Sequence, residues 1–112
     1  MSEEYQSAGL PNQLSFQVWE DRYILKDKQG NRVEKTWSDT ARRIAKAVAS
    51  VEKTPELQQE WEEEFFKIIN SFDFCPGGRI LFGAGNPAKV TLHNCFTLDY
   101  PHDSRTGIMQ RL

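Results

Sequence analysis

Leu14, Phe16 and Val18 alternate with polar residues, the period-two pattern of a half-buried strand, and Trp19 interrupts it. Residues 22–26 read as a strand or a helical turn. Residues 27–31 form a turn in which Gly30 suits positive φ. Helical spacing begins after Trp37. Ile44, Val48 and Val51 share a stripe with Ala41, Ala45 and Ala49, and Arg42, Arg43 and Lys46 fall on other faces. Ser38 is the expected N-cap, Asp39 suits the positive end of the helix, and Trp37 is placed as a hydrophobic staple. A second helix starts at Thr54, its N-cap, with Pro55 at the first helical position. Leu57, Trp61, Phe65, Ile68 and Phe72 form its apolar face, and Glu60, Glu62, Glu63 and Glu64 are solvated. The short connection predicts an antiparallel helix pair.

The pattern changes after Asp73. Pro76, Gly77 and Gly78 end the helical region. Residues 79–82 read as a short strand, residues 83–87 as a turn and residues 90–98 as a second extended stretch. Asp103 or Ser104 caps a final helix. The division expected is a loose arm over 1–13, a helical region over 14–73 and the first part of a strand-bearing unit over 74–112. The fold class is therefore α+β.

The chain's 112 residues suffice for one small domain. With 38% hydrophobic and 27% charged residues it is expected to fold and to be soluble. A net charge of -2 argues against a nucleic-acid surface. No apolar run approaches the roughly 18 residues of a membrane span. The polar, acidic start lacks a signal-peptide core, which predicts a cytoplasmic protein with reduced thiols. Its two cysteines are then buried hydrophobes or chemistry, not a disulfide framework.

Residues 74–96 concentrate the candidate chemistry. Gly83, Gly85 and Ala88 match a dinucleotide fingerprint in letters, but the β-prone residues after Pro87 do not supply the helix that motif needs. Cys75, His93, Cys95 and His102 lack the close ligand pairs of a compact zinc site, so no metal is expected. Cys75, between Phe74 and Pro76, reads as a packed apolar residue. His93 reads as a hydrogen-bonded structural residue and His102 as a surface group. Cys95 has two readings: a core residue, or a redox thiol beside glycine-rich backbone that a ligand can approach.

Residues 19–27 (Trp-Glu-Asp-Arg-Tyr-Ile-Leu-Lys-Asp), Gly30, Glu34, Trp37-Ser38-Asp39, Ala41 to Ala45, Glu52, Trp61 and Phe65-Phe66 carry a joint order and spacing that resembles a known family. Residues 74–85 (Phe-Cys-Pro-Gly-Gly-Arg-Ile-Leu-Phe-Gly-Ala-Gly), Asn94-Cys95-Phe96 and Asp103-Ser104 extend it. Together, over roughly residues 14–112, they are similar to the opening of adenosylcobalamin-dependent (class II) ribonucleotide reductases. The resemblance implies an N-terminal helical region leading into a ten-stranded α/β barrel, of which this chain holds only the start. It implies reduction of ribonucleotides to 2′-deoxyribonucleotides by thiyl-radical chemistry, with Cys95 as the first thiol of the reducing pair. Gly83, Ala84, Gly85 and Asn94 are then substrate-side residues, Asn94 in place of the family's frequent serine. Asp103, Ser104 and Arg105 are effector contacts near a dimer interface. Adenosylcobalamin, a ribonucleotide substrate, a nucleotide allosteric effector, a thioredoxin-like reductant, the remainder of the reductase chain and a second copy are the implied cofactor and partners.

The second thiol, the thiyl cysteine and its neighbours lie downstream in that family and are not in this sequence. The chain alone is therefore expected to be inactive, as a truncated product or the first piece of a split protein. The alternative is a stand-alone small α+β module that binds a nucleotide or a protein without catalysis.

Overall fold

A computed structural model describes residues 8–111, so residues 1–7 of the expected arm lie outside it. The described residues form five α-helices and one π-helical turn: α1 (Gln13–Val18), the π turn (Trp19–Tyr23), α2 (Trp37–Ala49), α3 (Pro55–Asn70), α4 (Gly78–Gly83) and α5 (Arg105–Gln110).

The first correction is α1, where alternation suggested a strand. The Asn12 side chain accepts from the Ser15 N–H at 2.8 Å and starts a helix. Trp19, which interrupted the alternation, is 2% exposed and belongs to the next turn of the same helical run. Its carbonyl accepts from Ile24 N–H at 2.9 Å, the five-residue reach of a π-helix. Before α1, Leu10 is buried, and the Ala8 carbonyl accepts from Trp37 N–H at 2.8 Å.

Residues 24–34 fold back on themselves. Lys26 and Arg32 form an isolated antiparallel bridge. Between them Gly30 sits at φ +87°, and the Asp27 carboxylate accepts from the Gln29 and Asn31 N–H groups. The Asn31 N–H foremost among these bonds lowers the Asp27 pKa below its ordinary value.

Helices α2 and α3 are the antiparallel pair expected. Ser38 donates to Asn70 at 2.8 Å, Arg42 meets Glu62 and Glu63, and Gln58 donates to the Ser50 carbonyl, so the start of one helix lies by the end of the other. The N-cap of α2 is Thr36 rather than Ser38. Thr36 and Asp39 form a reciprocal capping box, which moves Trp37 inside the first turn. Trp37 is 3% exposed, donates to the Ile69 carbonyl at 3.0 Å and stacks on Phe72 at 4.7 Å. Thr54 and Pro55 start α3 as expected.

The buried face of α3 also differs from the expected stripe. Ile69 is buried and Phe65 and Phe66 pack partly against the core, whereas Leu57, Trp61, Ile68 and Phe72 remain substantially exposed. Arg42 lies 3.8 Å over the Phe66 ring, a cation–π contact that pulls the packing seam towards residues 62, 66 and 69.

After α3 the expected strands are absent among the described residues, so the α+β class and the barrel start are not seen. Residues 79–82 belong to α4: the Ile80 and Leu81 N–H groups both bond the Gly77 carbonyl at 3.0 Å. Residues 90–98, expected as a second extended stretch, are exposed, form no strand or bridge, and bend at Asn94. A strand exists only when a neighbour takes its backbone groups.

Candidate functional site

A buried polar network fixes the glycine-rich segment. Trp19 Nε1 donates to Thr40 Oγ1 at 2.9 Å, and the Thr40 hydroxyl donates to Glu34. Arg43 Nε donates to the other oxygen of Glu34 at 2.5 Å. The rest of the Arg43 fork donates to the carbonyls of Tyr23 (3.3 Å), Leu81 (2.8 Å) and Ala84 (2.5 Å). The Arg43 and Glu34 side chains are 7% and 5% exposed. Arg43, expected off the apolar stripe of its helix, is nevertheless buried. It satisfies carbonyls that the end of a helix leaves free.

Gly83, Ala84 and Gly85 are held by this network. Ala84 is buried in the core. Gly85 has φ +73°, and a Cβ there would lie 2.8 Å from Arg43 Cγ. A Cβ on Gly83 would lie 2.9 Å from Leu92 Cδ2 and 3.0 Å from Val90 Cγ2. These contacts draw residues 90–92 onto the end of α4, two residues before Asn94 and Cys95. No helix follows Gly85 in the described segment up to residue 104, so the dinucleotide arrangement is absent there.

On the other side of α4 lies a cleft of about 400 Å³ lined by Arg22, Tyr23, Gly78, Arg79, Phe82 and Asn94. The Tyr23 hydroxyl lies so close to Gly78 that a Cβ there would be 3.2 Å away. The Asn94 amide nitrogen would lie 4.0 Å from a Cβ on Gly77. Asn94 thus meets the start of α4, whereas Ala84 and Gly85 meet α2 and Gly83 meets residues 90–92. The fold joins these predicted site residues through one short helix without putting them all in one cavity.

Cys95 is exposed and in no disulfide, which sets aside its reading as a core residue. Cys75 is also exposed, with its sulfur 3.7 Å from the Pro76 carbonyl oxygen, which corrects its reading as a packed apolar residue. His93 is exposed beside Phe96, their rings 6.2 Å apart. Among the described residues no three His, Cys, Asp or Glu side chains are grouped to hold a metal. Ser104 caps α5, accepting from Gly107 N–H at 2.9 Å. Asp103 and Arg105 beside it are exposed, and none of these three lines the cleft.

Periodicity put Arg43 off the apolar stripe of α2 and assigned no role to Thr40. Glu34 and Arg43, nine positions apart, carry no local signal of pairing. A threonine in the middle of an otherwise apolar helix face was the available clue.

The helical fold and its ordered glycine segment define an all-α domain. The model of the family described as "Ribonucleotide reductase, all-alpha domain" matches residues 9–89. The chain belongs to this family. A search of curated proteins finds no match. No helix among the described residues is long and apolar enough to cross a membrane.

Proposed function

We propose that this chain is the N-terminal part of a class II ribonucleotide reductase and supplies one thiol of its reducing pair. The observation that supports it is positional: the family match runs to residue 89, and shortly after it Asn94 lines the α4 cleft and the next residue is an exposed Cys95.

In this reading Gly83, Ala84 and Gly85 shape the backbone that the ribose passes, and Asn94 orients it. A thiyl radical, formed on a cysteine outside this segment, removes and later returns the 3′ hydrogen. Cys95 and a second thiol, also outside the segment, give two electrons and two protons. The 2′-hydroxyl departs as water and the thiols become a disulfide, which a thioredoxin-like dithiol reduces by exchange. Both histidines are exposed and neither lines the cleft, so among the described residues no imidazole is set there to ligate cobalt. The adenosylcobalamin that would supply the radical is assigned to residues outside this segment. Asp103, Ser104 and Arg105 contact the nucleotide effector at an interface with a second copy, and residues 90–98 gain strand partners from the remainder of a cytoplasmic enzyme.

The test is Cys95→Ser in the complete reductase. Deoxyribonucleotide formation supported by a dithiol reductant falls to background, while nucleotide binding persists. Undiminished multiple turnover in that variant would falsify the assignment of Cys95. Turnover by the 112-residue chain alone would overturn the claim that it acts as a part.

A further inference from the structure

We infer that Cys75 is a second redox thiol, which closes an intrachain disulfide with Cys95 and ties residues 94–95 to the start of α4. That this latch silences an enzyme rests on the reading of Cys95 as a reducing thiol. Both cysteines are exposed and in no disulfide. Cys75 precedes Gly78 by three residues and Cys95 follows Asn94, and Gly78 and Asn94 line one cleft. The two segments meet there: a Cβ on Gly77 would lie 4.0 Å from the Asn94 amide nitrogen. From that contact Cys75 is two residues away and Cys95 one, each residue spanning at most about 3.5 Å of chain.

A disulfide holds its Cα atoms about 4.4–6.8 Å apart, so one segment swings to the other as the bond closes. Residues 93–98 are the moving side. Upstream, Val90 and Leu92 rest against Gly83; downstream, Asp99 pairs with Arg111. Between these ties the chain forms no strand or bridge and bends at Asn94. Its internal contacts are local, His93 N–H to Thr91 and the His93 ring beside Phe96. Cys75 is the fixed side, between the Phe74 N–H bond to the Ile68 carbonyl and the Gly77 start of α4. Its sulfur faces only the Pro76 carbonyl oxygen, at 3.7 Å, so no strong bond is lost when it reacts.

The oxidant is a small disulfide of the glutathione type. The Cys95 thiolate attacks one of its sulfurs, forming a mixed disulfide and releasing one small thiolate. The Cys75 thiolate then attacks the Cys95 sulfur and the second small thiolate leaves. Two protein thiols are oxidised, one small disulfide is reduced, and the two protons given up by the cysteines end on the released thiols. A dithiol reductant reverses both exchanges. While the bond lasts, Cys95 has no electrons to give to a substrate.

The experiment treats the reduced full chain with glutathione disulfide, blocks remaining thiols by alkylation and maps tryptic peptides without reduction. The expected product is a monomer lighter by two hydrogens, with peptide 68–79 joined to peptide 90–105. Its rate of formation does not change on dilution of the protein. Cys75→Ser, a surface change whose folding circular dichroism verifies, stops at the glutathione adduct of Cys95. Two stable glutathione adducts on the parent chain, or crosslinks only between chains, overturn the latch. In the complete reductase, a single turnover without added dithiol separates the latch from the reading it rests on. The oxidised parent is expected to make no product and Cys75→Ser, reduced, to match the reduced parent. If the 75–95 bond forms and single turnover is undiminished, the bond stands and the role of Cys95 as reducing thiol falls. If turnover needs Cys95 but no 75–95 bond forms, that role stands and the latch falls.

Discussion

Arg43 carries more of this structure than any periodic pattern assigns to it. Its side chain spans Glu34, the π turn and the C-terminal end of α4. Removing one partner of a buried ion pair costs about 3–5 kcal/mol, because the other charge is left without compensation. A small domain has about 5–15 kcal/mol in total. Arg43→Met is therefore expected to lower the urea midpoint sharply or abolish cooperative unfolding. Arg43→Lys recovers only part of the loss, since an ammonium cannot reproduce the planar fork. Equal stability of Arg43→Met and the parent would show that the network is incidental. Arg42, one residue earlier, pairs with Glu62 and Glu63 near solvent, so Arg42→Met should cost about 1 kcal/mol or less from those pairs.

At the scale of elements, helix ends decide most boundaries. Asp39 accepts from the Lys35 and Thr36 N–H groups at 2.9 and 3.1 Å, and the Lys35 bond in particular holds its pKa below the ordinary 3.8. A carboxylate with a lowered native pKa stabilises the fold above its unfolded value, and that contribution disappears as pH falls through the native one. The expected result is that Asp39→Asn lowers stability at neutral pH, with the gap to the parent closing as pH drops below about 4. Denaturant melts at pH 7 and in strong acid check this, and a gap that widens in acid contradicts it. The same logic of ends separates α4 from the strand its residues suggested. A run of Ile80, Leu81 and Phe82 has no readable period. Arg43, reaching from α2, binds the carbonyls that become free only at a helix C-terminus.

For the whole molecule, the distribution of apolar surface is uneven. Val90, Leu92, Phe96, Leu98, Tyr100, Ile108 and Met109 are all exposed in the last quarter of the chain. The radius of gyration is 18.1 Å, against roughly 13 Å for a compact domain of this length. The helical pair with α1 and α4 has a core; residues 90–111 largely lack one. Hydrogen exchange is expected to protect α2 and α3 and to leave amides 90–98 exchanging fast in the isolated chain. Joined to the rest of a reductase, those amides should slow by orders of magnitude as they enter a sheet. Equally fast exchange in both settings contradicts the proposed strand role. A shallow apolar cleft among Val48, Phe65, Ile68, Phe74 and Ile80 marks a second area where the α2–α3 pair is incompletely covered.

Local chemistry determined what the sequence could show by itself. The Thr54-Pro55 start, the Gly30 turn, a helix cap at Asp103 or Ser104 and the short connection that pairs α2 with α3 depend on neighbours within a few residues, and each was readable. So was the order of motifs that marks the reductase family, which the family match covers over residues 9–89. Tertiary contacts decided the rest. Thr36 rather than Ser38 caps α2 because Trp37 must turn inward to meet Ile69 and Phe72. Arg43 is buried because Glu34 and three carbonyls from distant segments converge on it. Residues 79–82 are helical and residues 90–98 unpaired because a strand needs a neighbouring strand, and among the described residues there is none to pair with. The glycine-rich run is thus fixed by a charge buried on another helix, and the thiol beyond it is left exposed.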